Sequence, residues 1–184
     1  MKYLLVYCFS ILSIQIHAQT ALYPNTLSYE NSILPPIKTW HGKSESFIAS
    51  SDNTWITPTE SSNFTTTPTH KETLQWLKEL ADASPLLHMI SIGKSVENRD
   101  IAMIIASSEN DITAQALQSS SKPLLLVQAG IHAGEIDGKD AGMMLLRDIA
   151  FGSKKYLLDE VNFLFIPILN VDGHERTSCC AECN

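Results

Sequence analysis

The first clear rhythm of apolar and polar positions lies in "TPTHKETLQWLKELADAS", where Leu74, Leu77, Leu80 and Ala81 recur on one face at helical spacing, with Trp76 partly buried beside them. Thr67 or Thr69 can cap this helix, and Pro68 suits its first turn. The next stretch, "HMISIGKSVENRDIAMIIASS", reads as two strands around a turn. Asn98 stands where the turn needs a positive φ, which Asn tolerates better than most residues. "PLLLVQAG" and "VNFLFIPIL" are continuous apolar runs, the pattern of strands buried on both faces. Pro167 cannot donate to a ladder and so belongs near the end of the second run, and "NVDG" makes the turn after it. Between the two runs a helix is predicted from about Asp137 to Phe151. Ala141, Leu145 and Ile149 form its apolar stripe, with Met144 beside them, and Gly152 stops it. Strands alternating with helices predict an α/β fold with a largely parallel sheet.

The ends of the chain read differently. "MKYLLVYCFSILSIQIHAQT" has one positive residue, an apolar run from Tyr3 to Ile16, and a small residue at Ala18. This is the form of a secretory signal peptide over residues 1–18, too short for a membrane span. It predicts a secreted, periplasmic or extracellular protein with no stable membrane insertion after cleavage. Residues 19–67 are polar and turn-rich, and are expected to be an extended lead-in lying over the surface or partly disordered. Asn63-Phe64-Thr65 fits a glycosylation acceptor. Of four cysteines, Cys8 lies in the signal segment and Cys179, Cys180 and Cys183 crowd the end, so none can staple the core. A formal charge of −7 without a basic cluster argues against nucleic acid as a partner.

Candidate chemistry sits where the first apolar run stops. In open α/β sheets ligands bind beyond the carboxyl ends of the strands, and there "GIHAGEIDGKDAG" places His132 three residues before Glu135. An imidazole nitrogen and a carboxylate at that spacing can converge on one cation, a donor set that suits zinc. Gly130 and Gly134 let the backbone bend close to an ion. The spacing alone also allows His132 to cap the strand and Glu135 to favour the helix N-terminus through its dipole. Neither His-Glu-x-x-His nor its inverted form is present.

These residues resemble the zinc-binding segment of the carboxypeptidase A-like zinc metallocarboxypeptidases. "ISIGKSVENRDIAMIIAS" resembles that family's upstream hairpin, with Asn98 where a Gly is usual, and "VNFLFIPILNVDGHER" resembles its downstream strand and Asn-x-Asp-Gly turn. The resemblance runs from about Thr57 to Arg176. It implies a three-layer αβα, zinc-exopeptidase-like fold with a mostly parallel, mixed sheet, here truncated after its N-terminal half and occupying 68–177. It also implies one Zn²⁺ ion with His132 and Glu135 as two of three protein ligands, and release of C-terminal residues from a peptide or protein. The family's third ligand, general base, carboxylate-binding arginines and closing Tyr come later than the residues present here. His174 directly follows the "NVDG" turn, where the family's ligand does not sit, and Glu175 and Arg176 read as solvated turn residues. The Cys-rich tail 178–184 departs from the pattern. The expectation is therefore an N-terminal fragment, inactive alone, with an edge and an apolar face left exposed. Two other readings are a non-catalytic binding protein of the same fold and a metal-dependent amidohydrolase of small acylated amino acids.

Overall fold

The structure, a computed structural model, describes residues 42–176. The signal segment, the first part of the lead-in, the cysteines and the tail lie outside the described residues. Within them run a 3-10 turn at Lys43–Phe47, then α1 Pro58–Ser61, α2 His70–Ala83, β1 Leu87–Lys94, β2 Asp100–Ala106 and α3 Ala114–Ser119. β3 Leu124–Gln128, α4 Asp137–Ala150, α5 Leu157–Glu160, β4 Asn162–Ile166 and α6 Val171–His174 complete the order.

Local chemistry sets the boundaries. Thr69 caps α2 reciprocally with Glu72: the Thr69 hydroxyl takes the Glu72 N–H, and the Glu72 carboxylate takes the Thr69 N–H. Thr57 and Glu60 repeat the arrangement at α1. The β1–β2 turn closes through the Ser95 N–H to the Arg99 carbonyl at 2.9 Å, with Asn98 at φ 64° as its sequence position predicts.

The sheet has the order β1-β2-β4-β3. β1 and β2 are antiparallel, as are β2 and β4, whereas β3 and β4 are parallel with Leu126 opposite Leu164. This is the mixed α/β sheet expected, with parallel pairing among the described strands confined to β3 and β4. The hairpin reverses β2 against β1, because a short turn joins only antiparallel neighbours, and β2, lying between β1 and β4, is antiparallel to both. On one face Ile104, Ala106, Phe163 and Phe165 pack under Leu77 and Leu80 of α2 and Met143, Leu146 and Ile149 of α4. On the other, Ile105 and Leu164 pack under Leu117 of α3. Each fully buried Leu or Phe contributes roughly 1.5–3 kcal/mol.

Two expectations need correction. The stripe of α4 that faces the sheet is Gly142, Met143, Leu146 and Ile149; Ala141 is exposed and Leu145 only half-buried. And β3, whose continuous run predicts burial on both faces, is exposed throughout. Leu124, Leu125 and Leu126 are 49%, 48% and 51% accessible, because β3 is the sheet edge and no described element covers either face. β4, one place inward, is buried along its whole length.

The described part of the lead-in is more ordered than its composition suggests. The Glu60 carboxylate accepts from the N–H groups of Ala49 and Thr57 and from Arg147 Nη1 of α4, and Arg147 Nη2 donates to the Phe47 carbonyl. Both charges are buried. The Trp55 and Phe151 rings stack with centroids 5.2 Å apart. The segment from Gly42 to Thr69 is thus a strap fastened across α4.

Candidate metal centre

β3 delivers the chain to the candidate site at its carboxyl end. Ala129 donates its N–H to the Ile166 carbonyl, and the carbonyls of Ala129 and Gly130 accept from Leu169 and Asn170 at 3.0 and 2.9 Å. Gly130 then turns the chain away from the sheet at φ +58°, where a Cβ would meet the Ile168 Cα at 3.1 Å. Residues 131–135 beyond it are all exposed.

In this loop His132 Nδ1 and Glu135 Oε1 face each other at 2.8 Å. The backbone closes the same turn, Glu135 N–H donating to the His132 carbonyl at 3.1 Å. The hydrogen bond from His132 holds the Glu135 carboxyl below its ordinary range, so it stands ionised at neutral pH. Two ligand atoms on one tetrahedral zinc, each bonded at about 2.1 Å, lie roughly 3.4 Å apart. The pair needs to open by about 0.6 Å, breaking its hydrogen bond, to hold such an ion. Both side chains are solvent-accessible, 79% and 60%. Among the described residues no third His, Cys, Asp or Glu joins them.

His174 is engaged elsewhere. It is buried, and its Nδ1 lies 3.0 Å from Glu175 Oε1. Glu175 is not a solvated turn residue, since Oε1 also accepts the His70 N–H at 2.7 Å. Burial pushes the Glu175 carboxyl up, but these bonds outweigh it and hold the group below its usual range. Arg176 is exposed and pairs with Glu97.

The "NVDG" segment forms one helical turn, α6, capped by Asn170 Oδ1 on the Gly173 N–H at 2.9 Å. Its acid points back to the hairpin: Asp172 accepts from Ser95 Oγ at 2.7 Å, the Glu97 N–H at 3.1 Å and Arg99 Nη1 at 2.6 Å.

Sequence reasoning missed three polar ties: Asp172 to the hairpin, Glu60 to Arg147, and Lys139. The last is fully buried, and its Nζ donates to Thr67 Oγ1 at 2.6 Å and the Pro68 carbonyl at 2.5 Å. Thr67 in turn donates to the Asp140 carboxylate at 2.9 Å. Thr57-x-x-Glu60 carries the capping-box signature and was the one available signal.

Comparison with known proteins bears on this arrangement. The zinc carboxypeptidase family model matches residues 73–181. Over 108 residues the chain is 29% identical to a Schizosaccharomyces pombe protein named inactive metallocarboxypeptidase ecm14, covering 55% of this chain and 22% of that one. A crystal structure of thrombin activatable fibrinolysis inhibitor is similar in fold, with TM-score 0.51, 21% identity, and coverage of 59% of this chain and 26% of the other. So is carboxypeptidase A from Helicoverpa armigera, with TM-score 0.51, 22% identity, and coverage of 59% and 25%. The chain therefore spans about a quarter of the length of these relatives.

Proposed function

Since the chain belongs to the zinc carboxypeptidase family, we propose that it carries the zinc-binding motif of an exported metallocarboxypeptidase, with His132 and Glu135 as two ligands of one Zn²⁺ ion. The observation that carries this reading is the 2.8 Å approach of His132 Nδ1 to Glu135 Oε1 at the carboxyl end of β3. The family hydrolyses at peptide C-termini, and the whole enzyme's substrate would be the C-terminus of a peptide or protein. Bound zinc supplies a water of pKa about 7 and polarises the scissile carbonyl.

The chain's own residues do the preparatory work. Gly130 aims the loop away from the sheet. The hydrogen bond from His132 holds the Glu135 carboxyl below its ordinary range, so the carboxylate is ready for a cation, while His132 has to give up the Nδ1 proton it donates before that nitrogen can bind the ion. Exposure of both groups leaves them within reach of an entering ion. With two ligands, these residues alone hold zinc weakly, and the 184-residue chain is inactive as a peptidase. The apolar segment over residues 1–18 supports export.

The test is zinc binding by the 184-residue chain, followed by competition with a chromogenic chelator. Weak binding is expected, abolished in His132→Ala and in Glu135→Ala. Binding unchanged by both substitutions would overturn the assignment, and chelator-sensitive hydrolysis of a blocked dipeptide by the pure chain would overturn its inactivity. A non-catalytic binding protein of this fold is the second reading, favoured by the inactive designation of the similar Schizosaccharomyces pombe protein.

A further inference from the structure

The loop that bears His132 and Glu135 has no packing of its own. Residues 131–135 are all exposed, so beyond the hydrogen bonds that His132 and Glu135 make with each other, the support that holds the pair against the rest of the described structure acts at the loop's ends. The β3 end is fixed by three backbone hydrogen bonds, Ala129 to Ile166, Leu169 to Ala129 and Asn170 to Gly130. The α4 end is different. Ile136 occupies the N-cap position of α4 and makes no side-chain capping bond. Two features hold that end. Gly138 lies close to Ala129, where a Cβ would meet the Ala129 Cβ at 3.2 Å. The other is Lys139, the third residue of α4 and four residues beyond Glu135, which lies in the loop just before the helix.

A lysine with 0% exposure needs an explanation. Burying an ammonium group is costly unless it is paired and hydrogen-bonded. Here it is: Thr67 Oγ1 and the Pro68 carbonyl accept from Nζ, and Asp140 Oδ1 lies 3.4 Å away. Yet an aliphatic side chain of similar size is often as stabilising in such a place. Net stability therefore gives no reason for a lysine. Placement does, because hydrogen bonds to a carbonyl and a hydroxyl are directional, and an apolar contact would let the first turn of α4 slide or rotate against the strap.

We propose that Lys139 is a positioning residue for the metal-binding loop: by tying the first turn of α4 to Thr67 and Pro68 it sets the orientation of Glu135 toward His132. This rests on the assignment of His132 and Glu135 to a metal. The strap thereby becomes part of the site's support, although the matched family region begins after it, at residue 73.

Lys139→Met fills the same volume without the donors, and Thr67→Val removes the hydroxyl that both Lys139 and Asp140 use. Two readouts apply to the full 184-residue chain: Zn²⁺ affinity by chelator competition, and amide hydrogen exchange across residues 129–141. Lys139→Met is expected to weaken Zn²⁺ binding about tenfold, the low end for losing support around a metal ligand. It should speed exchange of the amides from Glu135 to Asp140 about tenfold, while exchange in β2 and β4 stays as in the parent. Thr67→Val should act in the same direction and less, and the double variant no more than Lys139→Met alone. Unchanged exchange in 135–140, or exchange faster everywhere in step with a lower denaturation midpoint, overturns the proposal. Zinc binding that is insensitive to His132→Ala defeats the metal assignment instead, and the exchange profile still decides whether Lys139 holds the loop.

Discussion

At the junction of α4 with the strap, Glu60, Arg147, Lys139 and Asp140 are all buried and all paired. At β3, three leucines in a row are about half exposed. α4 and β3 both lie within the matched family region, and the strap lies before it. The difference teaches that the family match and the completeness of the fold are separate properties. The strap side is closed by interactions within residues 42–176, whereas the β3 side presents, among the described residues, an unpaired edge with apolar side chains on both faces, an arrangement that invites pairing with another strand.

The contrast can be broken most forcefully at the buried ion pair. Glu60→Ala leaves the Arg147 guanidinium buried without its main counterion and should cost about 3–5 kcal/mol, measured by urea denaturation. Leu126→Lys on the exposed edge should change the midpoint by no more than about 0.5 kcal/mol while reducing concentration-dependent self-association in sedimentation. Equal losses at the two positions would erase the distinction between the regions.

A second pair sharpens it at glycines. A Cβ at Gly142 would collide with the Phe165 ring, so Gly142→Ala should destabilise by about 1–3 kcal/mol despite Ala's better helix propensity. Gly134 in the loop has nothing within 4 Å of the same position, and Gly134→Ala should leave the midpoint in place. Tolerance of Gly142→Ala would mean that α4 sits less tightly on the sheet than described.

The smallest effect expected is the pH dependence. Burial pushes the Glu60 carboxyl up, but Arg147 and the N–H groups of Ala49 and Thr57 outweigh it and hold it below the ordinary 4.5. For Asp172, burial is likewise outweighed by Ser95 and Arg99, below the ordinary 3.8. A depressed folded-state value means the unfolded chain binds the proton first. The stabilisation is therefore fully present above these ordinary values and is lost as the pH falls through the lower folded ones. Stability measured from pH 6 down to 3 should decline less steeply in Asp172→Asn than in the parent; identical slopes would show that the tie to the hairpin carries no charge.

Much of this was legible in the sequence because it is local. The Leu77–Leu80 stripe, the Asn98 turn and the β4 run each depend on neighbours a few residues away, and His132 and Glu135 come together within one turn of chain. The misreadings had distant causes. The LLLV run looks fully buried because it is built for covers that no described residue supplies. The face of α4 was misassigned because Lys139 and Arg147 lie on its buried side. Charged residues normally mark the solvent side of a helix, and only their partners, 72 and 87 residues away, reverse that rule.

Asp172 lies 77 positions from Ser95, yet its carboxylate is what the hairpin turn closes upon. Two residues before it, Asn170 is bonded to Gly130 at the root of the His132 loop. The three signatures by which the chain is recognised, scattered along more than 70 positions, are therefore strands of a single knot. Among relatives they should vary in concert, so that a sequence keeping the loop but losing the aspartate would have had to retie the hairpin by other means.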